Sequence, residues 1–327
     1  MSEACDISVI VPCYNANRYL NICLESLKAQ RVPNIEMIFI DDGSTDSTGA
    51  ILDAFARAES RARVVHVRNE GVSAARNRGI SMATGRYIAF MDADDVLEEN
   101  ALSILYQAAV KSGAQITSAN HTLFDVERGC RVSVEIEPVV PQSSEIVREI
   151  IHMHRIYNNL WNKLYVRELF EDGLRLDESV HIGEDALLNL QLYLRAKNIA
   201  HISAHTYVYR VHSSSAMANM GLYSQAHQPM LQSMSAILLR EGVKELYFRD
   251  FLQSCVWVDE KETGIMACMK RFNAYIRPLV LDGVQEDRVP QWDLRIYRAV
   301  VKGYFPQIYI LLRIREKLTG RKWGIRR

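Results

Sequence analysis

Short apolar runs alternate with amphipathic stretches along the first hundred residues. The runs at 7–11, 35–40 and 62–67 predict strands, and the first, a β-branched apolar run, is typical of a strand buried on both faces. Between the first two runs, apolar residues recur at the helical period on one broad face: Tyr19, Leu20, Ile22, Cys23, Leu24 and Leu27. Alternating strands and helices predict an α/β fold, with a parallel sheet and right-handed crossovers.

A fourth apolar run, at 87–91, ends in three carboxylates within four positions: Asp92, Asp94 and Asp95. Like charges crowded at a strand end repel one another unless a cation lies among them. A hard divalent cation such as Mg²⁺ or Mn²⁺ takes oxygen ligands and keeps coordination positions open for a substrate phosphate. The alternative interpretation is a polar loop in which Asp95 caps a helix beginning near residue 98.

Polar side chains follow three of the predicted strands. Tyr14 and Asn15 come after the first, the Asp41–Asp42 pair after the second, and the 92–95 carboxylates after the fourth. In parallel sheets, ligands bind beyond the carboxyl ends of the strands. Loops are polar in any protein, but paired aspartates at two separate strand ends favour one shared site.

These side chains suit a nucleotide diphosphate. Tyr14 can stack on a base, and Asp42 can accept a hydrogen bond from an N–H such as the uracil imide. Arg76 offers a guanidinium fork to the diphosphate. Asp92 can accept from ribose hydroxyls or assist a metal, and Asp94 is the better metal ligand. Taken singly, Tyr14 could equally be a core aromatic and Arg76 a solvated charge.

The composition indicates an ordinary globular protein. The 327 residues are 48% hydrophobic and 24% charged, and the formal net charge is zero, so no global field attracts nucleic acid. The six cysteines form no Cys-x-x-Cys pair, and the first residues are polar and acidic. We therefore expect free thiols in a reducing cytoplasm, with no signal peptide and no spanning helix.

Four sequence blocks resemble the signatures of inverting family-2 glycosyltransferases of the GT-A fold. They are ISVIVPCYN at 7–15, IFIDDGSTD at 38–46, GVSAARNRG at 71–79 and GRYIAFMDADD at 85–95. The resemblance covers about residues 5–215 and implies a Rossmann-like, mostly parallel sheet flanked by helices. We expect a glycosyltransferase domain at 1–215 and a helical, basic region at 216–327. A UDP-sugar donor and a Mn²⁺ or Mg²⁺ ion are also implied.

The resemblance assigns most of the donor side. The residues expected at the nucleotide sugar are Pro12, Tyr14, Asn15, Asp42, Arg76 and Asp92. Asp94 holds the metal, with Asp92 nearby. His212 follows a predicted strand at 206–211 and can reach the diphosphate or the metal, although it could also be a plain loop residue. The serines that follow it, 213–215, suggest a flap over the donor.

Inverting transfer needs a general base on the acceptor side. Glu184 and Asp185 precede an amphipathic helix at 186–196 and are similar to the family's Glu-Asp motif, in which the second acid is the base. We therefore predict Asp185 as the base, with Glu184 positioning it or the acceptor. Acidic residues also occur in the first turn of ordinary helices, and that capping role is compatible with the catalytic one.

The segment at 161–165 is similar to a Trp-x-Lys-Leu-Tyr/Phe segment of related bacterial enzymes. Trp161 can stack on a sugar face, and Lys163 can approach a phosphate. The alternative interpretation is a core tryptophan and a surface lysine. Both residues are candidates for the acceptor side.

The last hundred residues show helical periodicity, for example at 237–241 and 247–252. From residue 291 onward, the sequence contains ten basic and only two acidic residues, with aromatic residues interleaved. Such a stretch suits the surface of an anionic membrane, where lipid-linked glycan acceptors reside. It could also pack on the catalytic domain or on a second subunit. We expect no nucleic-acid partner, and the sequence is compatible with an oligomer.

Together these features predict an inverting, metal-dependent glycosyltransferase. It moves a hexose or N-acetylhexosamine from a UDP-sugar to a hydroxyl of a glycan or lipid-linked acceptor in surface-polysaccharide synthesis. The expected location is the cytoplasm, peripheral at the inner face of the membrane. One alternative is a nucleotidyltransferase on a related fold, although Pro12 to Asn15 stand where its Gly-rich phosphate loop belongs. Another is a non-catalytic nucleotide-sugar-binding protein.

Overall fold

The computed structural model describes residues 5–32, 34–135, 143–152, 158–213, 227–263 and 265–319. The chain divides into two compact units. The first comprises Met1–Glu145 and Asn159–Met220, and the second comprises Ile146–Asn158 and Gly221–Arg327. The serine flap expected after His212 lies largely outside the described residues, as does the end of the basic tail, 320–327.

Four parallel strands form one half of the sheet in the first unit. They are β1 (Ile7–Cys13), β2 (Ile35–Asp42), β3 (Ala62–Val67) and β4 (Tyr87–Phe90), in the spatial order β3-β2-β1-β4. The helices between them are α1 (Asn17–Lys28), α2 (Thr48–Ala58) and α3 (Val72–Met82). The predicted α/β fold is confirmed. The continuous apolar runs of β1, β2 and β4 form strands that are almost entirely buried, whereas β3 at the edge of the sheet is partly exposed.

The first strand extends past the predicted end at residue 11 and includes Pro12. Its partner β4 stops at the Ile10–Phe90 pair, whereas pairing with β2 continues to Cys13 and Asp41. Pro12 is therefore paired with β2 on one side and with no strand on the other. A proline is tolerated at such a position because its missing N–H interrupts no ladder hydrogen bond.

Helix α3 packs closely on the first strand because it carries a glycine at the contact. A Cβ added at Gly79 would lie 2.3 Å from Ile10 Cγ2, too close for any side chain. This contact seats α3 directly above the strand. The position of α3 matters because it carries Arg76.

The second half of the sheet is mixed. It is built from β5 (Val96–Leu97), β6 (Ile116–Asp125), β7 (Cys130–Val134), β8 (Lys163–Val166) and β9 (Ile199–Val211). The order continues β4-β8-β6-β9-β5; β8 is antiparallel to both neighbours, and β7 pairs with β6. Helices α4 (Ala101–Ser112) and α6 (Glu184–Arg195) belong to this part. The α4 helix begins at Ala101, so the interpretation of Asp95 as its cap is wrong.

Helices form the second unit. They are α7 (His227–Arg240), α8 (Phe248–Thr263), α9 (Ile265–Arg271), α10 (Arg277–Leu281), α11 (Leu294–Val301) and α12 (Phe305–Thr319), joined by most of α5 (Ser143–Ile151). Fully buried apolar side chains such as Met234, Phe251 and Val280 supply its core. The expected helical C-terminal region is confirmed. Among the helices in the described ranges, none combines the length and apolar character needed to cross a membrane.

Candidate functional site

The carboxyl ends of β1, β2 and β4 meet at one edge of the sheet. There the loop after β1 is tied to the loop after β2. The Asn15 amide donates to Ser44 Oγ at 3.0 Å, and Asn15 Oδ1 accepts from the Thr45 amide at 2.9 Å. Asn15 has a positive φ of 46°, which asparagine tolerates better than most residues. Tyr14 beside it is 52% exposed, so its ring is open to a ligand.

Asp42 is buried and holds the loop that leads into α3. Its two carboxylate oxygens accept the Glu70 and Gly71 amide N–H groups at 2.8 and 2.9 Å. The second lone pair of each oxygen is the acceptor capacity a base N–H would need. Pro12 lies in β1, buried beneath the same edge, and adds shape rather than hydrogen-bonding groups.

Arg76 joins the two acidic motifs that the sequence keeps far apart. One guanidinium nitrogen donates to Asp92 Oδ1 at 3.0 Å. The other donates to Asp185 Oδ1 at 2.7 Å and lies 3.5 Å from Glu184 Oε1. The side chain is only 6% exposed, so these pairs are poorly screened. The structure thus gathers donor-side and acceptor-side acids around one buried cation.

Asp185 lies in the first turn of α6. Burial raises the pKa of its carboxyl to about 7, while the nearby charge of Arg76 opposes that rise. Burial likewise raises the pKa of Glu184, again opposed by Arg76. A carboxyl with a pKa near neutrality is suited to accept a proton during turnover.

His212 and Asp94 lie together, next to Asp92. Asp94 Oδ2 is 3.0 Å from His212 Nε2, and the buried imidazole stacks on Tyr19 with ring centroids 4.2 Å apart. Burial and the charge of Asp92 raise the pKa of Asp94. A nearby cation would relieve this crowding.

The donor set fits a divalent ion only with help from a substrate. In the described part of the chain, no three His, Cys, Asp or Glu side chains are arranged as a complete metal site. Mg²⁺ is commonly held by one or two carboxylates together with substrate phosphates. Asp94, with Asp92 or His212, meets that smaller requirement.

Asp95 anchors the loop at 92–95 to strand β9. Its carboxylate is fully buried and accepts from the Tyr207 hydroxyl at 2.7 Å and from the Arg210 amide at 2.7 Å. The Asp92 amide in turn donates to Tyr207 Oη at 3.1 Å. Sequence reasoning missed Tyr207 and Arg210 because their partners lie more than a hundred positions earlier in the chain.

The structure supports the interpretation of Trp161 as a residue packed against the core, but it contradicts the interpretation of Lys163 as a surface lysine. Trp161 is half-buried and stacks flat on Tyr207 and Tyr209, with ring centroids 4.6 and 5.4 Å away. Lys163 is 1% exposed, so the interpretation as a surface lysine is wrong. Its ammonium donates to nearby carbonyl oxygens. All of these described acceptors belong to the 159–162 segment.

Comparison with known proteins identifies the family of this chain. The model of glycosyl transferase family 2 matches residues 8–171, half of the chain. The chain therefore belongs to glycosyl transferase family 2. It is 30% identical to the glycosyltransferase GlyA of Streptococcus pneumoniae over 72% of this chain and 38% of GlyA. With EpsJ of Bacillus subtilis the identity is 33%, over 64% of this chain and 62% of EpsJ. The alignments thus span less than two thirds of either relative.

A solved structure shares the fold. The crystal structure of S. aureus TarS residues 1–349 in complex with UDP-GlcNAc superposes with a TM-score of 0.72, covering 98% of this chain and 93% of that one. The sequences are 19% identical, so the likeness supports the GT-A fold alone.

Proposed function

We propose that this protein is an inverting, metal-dependent glycosyltransferase that uses a UDP-sugar. The observation that carries the proposal is the Arg76 cluster, in which one guanidinium contacts both Asp92 and Asp185. A metal-dependent nucleotide-sugar transferase needs carboxylates to hold the cation that offsets the charge of the departing diphosphate. It also needs a carboxylate nearby to accept the proton of the incoming hydroxyl. Membership of family 2 supports this reading over a nucleotidyltransferase.

The proposed steps use the residues already described. Tyr14 stacks on the uracil, and Asp42 accepts from its N–H. A divalent ion, held by Asp94 with Asp92 or His212, would offset the charge of the departing diphosphate. Asp185 accepts the proton of the acceptor hydroxyl as its oxygen attacks the anomeric carbon from the opposite face. Arg76 fixes the direction in which the Asp185 carboxylate points.

The remaining assignments are part of the same proposal. The donor sugar is a hexose or N-acetylhexosamine, and the acceptor is a hydroxyl of a glycan or lipid-linked intermediate. Residues 1–215 carry the transfer chemistry, and residues 216–327 serve the acceptor or the membrane. Trp161, which is half-buried, contributes to acceptor binding.

The test pairs Asp185→Asn with Asp94→Asn in a panel of nucleotide sugars with Mn²⁺. Asp185→Asn is expected to keep UDP-dependent thermal stabilisation and to lose at least about 100-fold in transfer, because the base is gone. Asp94→Asn is expected to lose the metal-dependent part of that stabilisation, as chelation with EDTA should in the wild-type protein. Wild-type turnover by Asp185→Asn would contradict the assignment of the base. Stabilisation by GDP rather than UDP would contradict the proposed donor.

A further inference from the structure

Lys163 is buried in the protein interior, and the hydrogen bonds described for its side chain go to neutral oxygens. Its ammonium, at the start of β8, donates to the carbonyl oxygen of Asn159 at 2.8 Å, to Asn162 Oδ1 at 3.0 Å and to the carbonyl oxygen of Trp161 at 3.4 Å. Burial lowers its pKa to about 7. Burying an ammonium is costly even with neutral acceptors, so the arrangement calls for a compensating role.

The acceptors of Lys163 belong to a tight turn that is also fastened to α6. Asn189 of α6 donates to the same Asn159 carbonyl oxygen at 3.0 Å, and its own oxygen accepts from the Tyr165 hydroxyl at 2.8 Å. Lys163 and Asn189 thus share one acceptor. Asn189 lies one helical turn beyond Asp185, on the same face of α6. The turn is therefore attached to the face of the helix that carries the predicted base.

The Lys163 charge also acts on the predicted base. It lowers the pKa of Asp185, and Asp185 raises the pKa of Lys163 in return. The other groups that shift the Asp185 pKa are Arg76, Glu184 and Asp92. On the sheet side, the charge of Lys163 adds to burial in lowering the pKa values of His121 and His201. The lowered pKa values favour the neutral forms of both histidines. The Lys163 ammonium is then the positive charge that favours the ionised Asp185 carboxylate on the sheet side.

From these contacts we infer that Lys163 is a positioning residue for Asp185: it orders the 159–162 segment that Asn189 ties to α6, and its positive charge favours the ionised Asp185 carboxylate. The inference rests on the proposed function, in which Asp185 is the base. It replaces the expectation that Lys163 meets a phosphate. A purely structural lysine would affect stability alone, whereas a positioning residue affects the pH dependence and rate of the chemical step.

The test is Lys163→Met, which keeps an unbranched apolar stem and removes the ammonium group. We expect kcat to fall 10- to 100-fold, with the KM for the donor and the thermal shift with UDP within twofold of wild type. The acid limb of the kcat–pH profile moves to higher pH, because Asp185 loses a neighbouring cation. Lys163→Arg restores the charge and is expected to return the limb toward the wild-type position. A kcat within twofold of wild type and an unmoved limb would overturn the inference.

Asn189→Ala separates the tether from the charge, and it carries the test if Lys163→Met does not fold. It breaks the link between α6 and Asn159 and leaves the ammonium in place. We expect at least a fivefold loss of kcat, with the acid limb of the pH profile unmoved. An unchanged kcat would show that the hydrogen bond from Asn189 to Asn159 does not position Asp185. Asp185→Asn distinguishes the two proposals. If Asp185→Asn is inactive while Lys163→Met behaves as wild type, only the positioning role fails. If Asp185→Asn is active, the proposed base fails.

Discussion

Arg76 is a buried cation that contacts three carboxylates, those of Asp185, Asp92 and Glu184. A buried ion pair adds little stability over an apolar replacement of both partners, but removing one partner leaves an uncompensated charge. Arg76 is therefore hard to replace singly, whatever its role toward a substrate.

We predict that Arg76→Met lowers the free energy of unfolding by about 3 kcal/mol, because at least two carboxylates lose a buried partner. Transfer activity should fall roughly 100-fold, since Asp185 is then no longer oriented. Arg78→Met is the matched control. Arg78 is on the same helix and forms an exposed 3.6 Å pair with Glu70, so its loss should cost less than about 1 kcal/mol. Denaturant unfolding and transfer rates measure both effects. Equal losses in the two variants would contradict the role given to the contacts of Arg76 with Asp92 and Asp185.

The pH dependence of catalysis follows from Asp185. Burial raises its pKa to about 7, so the fraction of enzyme with an ionised Asp185 carboxylate increases with pH through the neutral range. A base must be deprotonated, so kcat/KM is expected to rise with pH through about 7 and then level off. The exposed Glu168 serves as control, because Glu168→Gln should leave the profile unchanged. A kcat/KM that is flat between pH 6 and about 8 would argue against Asp185 as the base.

At the scale of elements, a histidine on β3 links β2 to α2. His66 Nδ1 is 2.7 Å from Asp41 Oδ2, and its Nε2 is 3.1 Å from Asp53 Oδ1. Asp41 also accepts from the Ser44 amide, so the same carboxylate shapes the loop that contacts Asn15. The histidine therefore helps to hold the loop at the proposed donor side.

We predict that the charge of His66 stabilises the protein at acidic and neutral pH. Hydrogen bonds to Asp41 and Asp53 raise its pKa in the folded state. The contribution is fully present below the unfolded pKa of about 6.5 and is lost as the pH rises through the folded value. The difference in melting temperature between wild type and His66→Gln should thus shrink between pH 6 and about 9. The exposed His181→Gln is the control. A difference that grows with pH would refute the prediction.

Helices and strands were predictable from the sequence where the local pattern of apolar and polar residues determines them. The strand at 62–67 has the expected limits, and the others differ at their ends, because pairing partners rather than composition set where a strand stops. The grouping of Ile146–Asn158 with the C-terminal unit had no local signal. Within the site, motif spacing indicated which acids matter. It could not indicate that Arg76 pairs with Asp185, 109 positions later, or that Lys163 is buried, since both depend on tertiary packing.

At the scale of the whole molecule, charge is distributed unevenly along a chain whose formal net charge is zero. From residue 291 onward, ten basic and two acidic residues give a net charge of +8. Apolar and aromatic side chains in the same stretch are exposed, among them Trp292, Tyr304 and Ile310. Basic charge with exposed aromatic groups suits the surface of an anionic bilayer.

We therefore predict that the full chain binds vesicles containing anionic lipid, and that binding weakens as salt is raised because the attraction is screened. Replacing Arg321, Lys322, Arg326 and Arg327 by Gln should reduce vesicle affinity at least about tenfold, since each basic residue near such a surface contributes about 1 kcal/mol. The matched control replaces four exposed basic residues of the first unit: Lys28, Arg57, Lys111 and Arg128. Co-sedimentation measures both. If the two variants lose affinity equally, the attraction comes from overall charge, and the tail has no special role at the membrane.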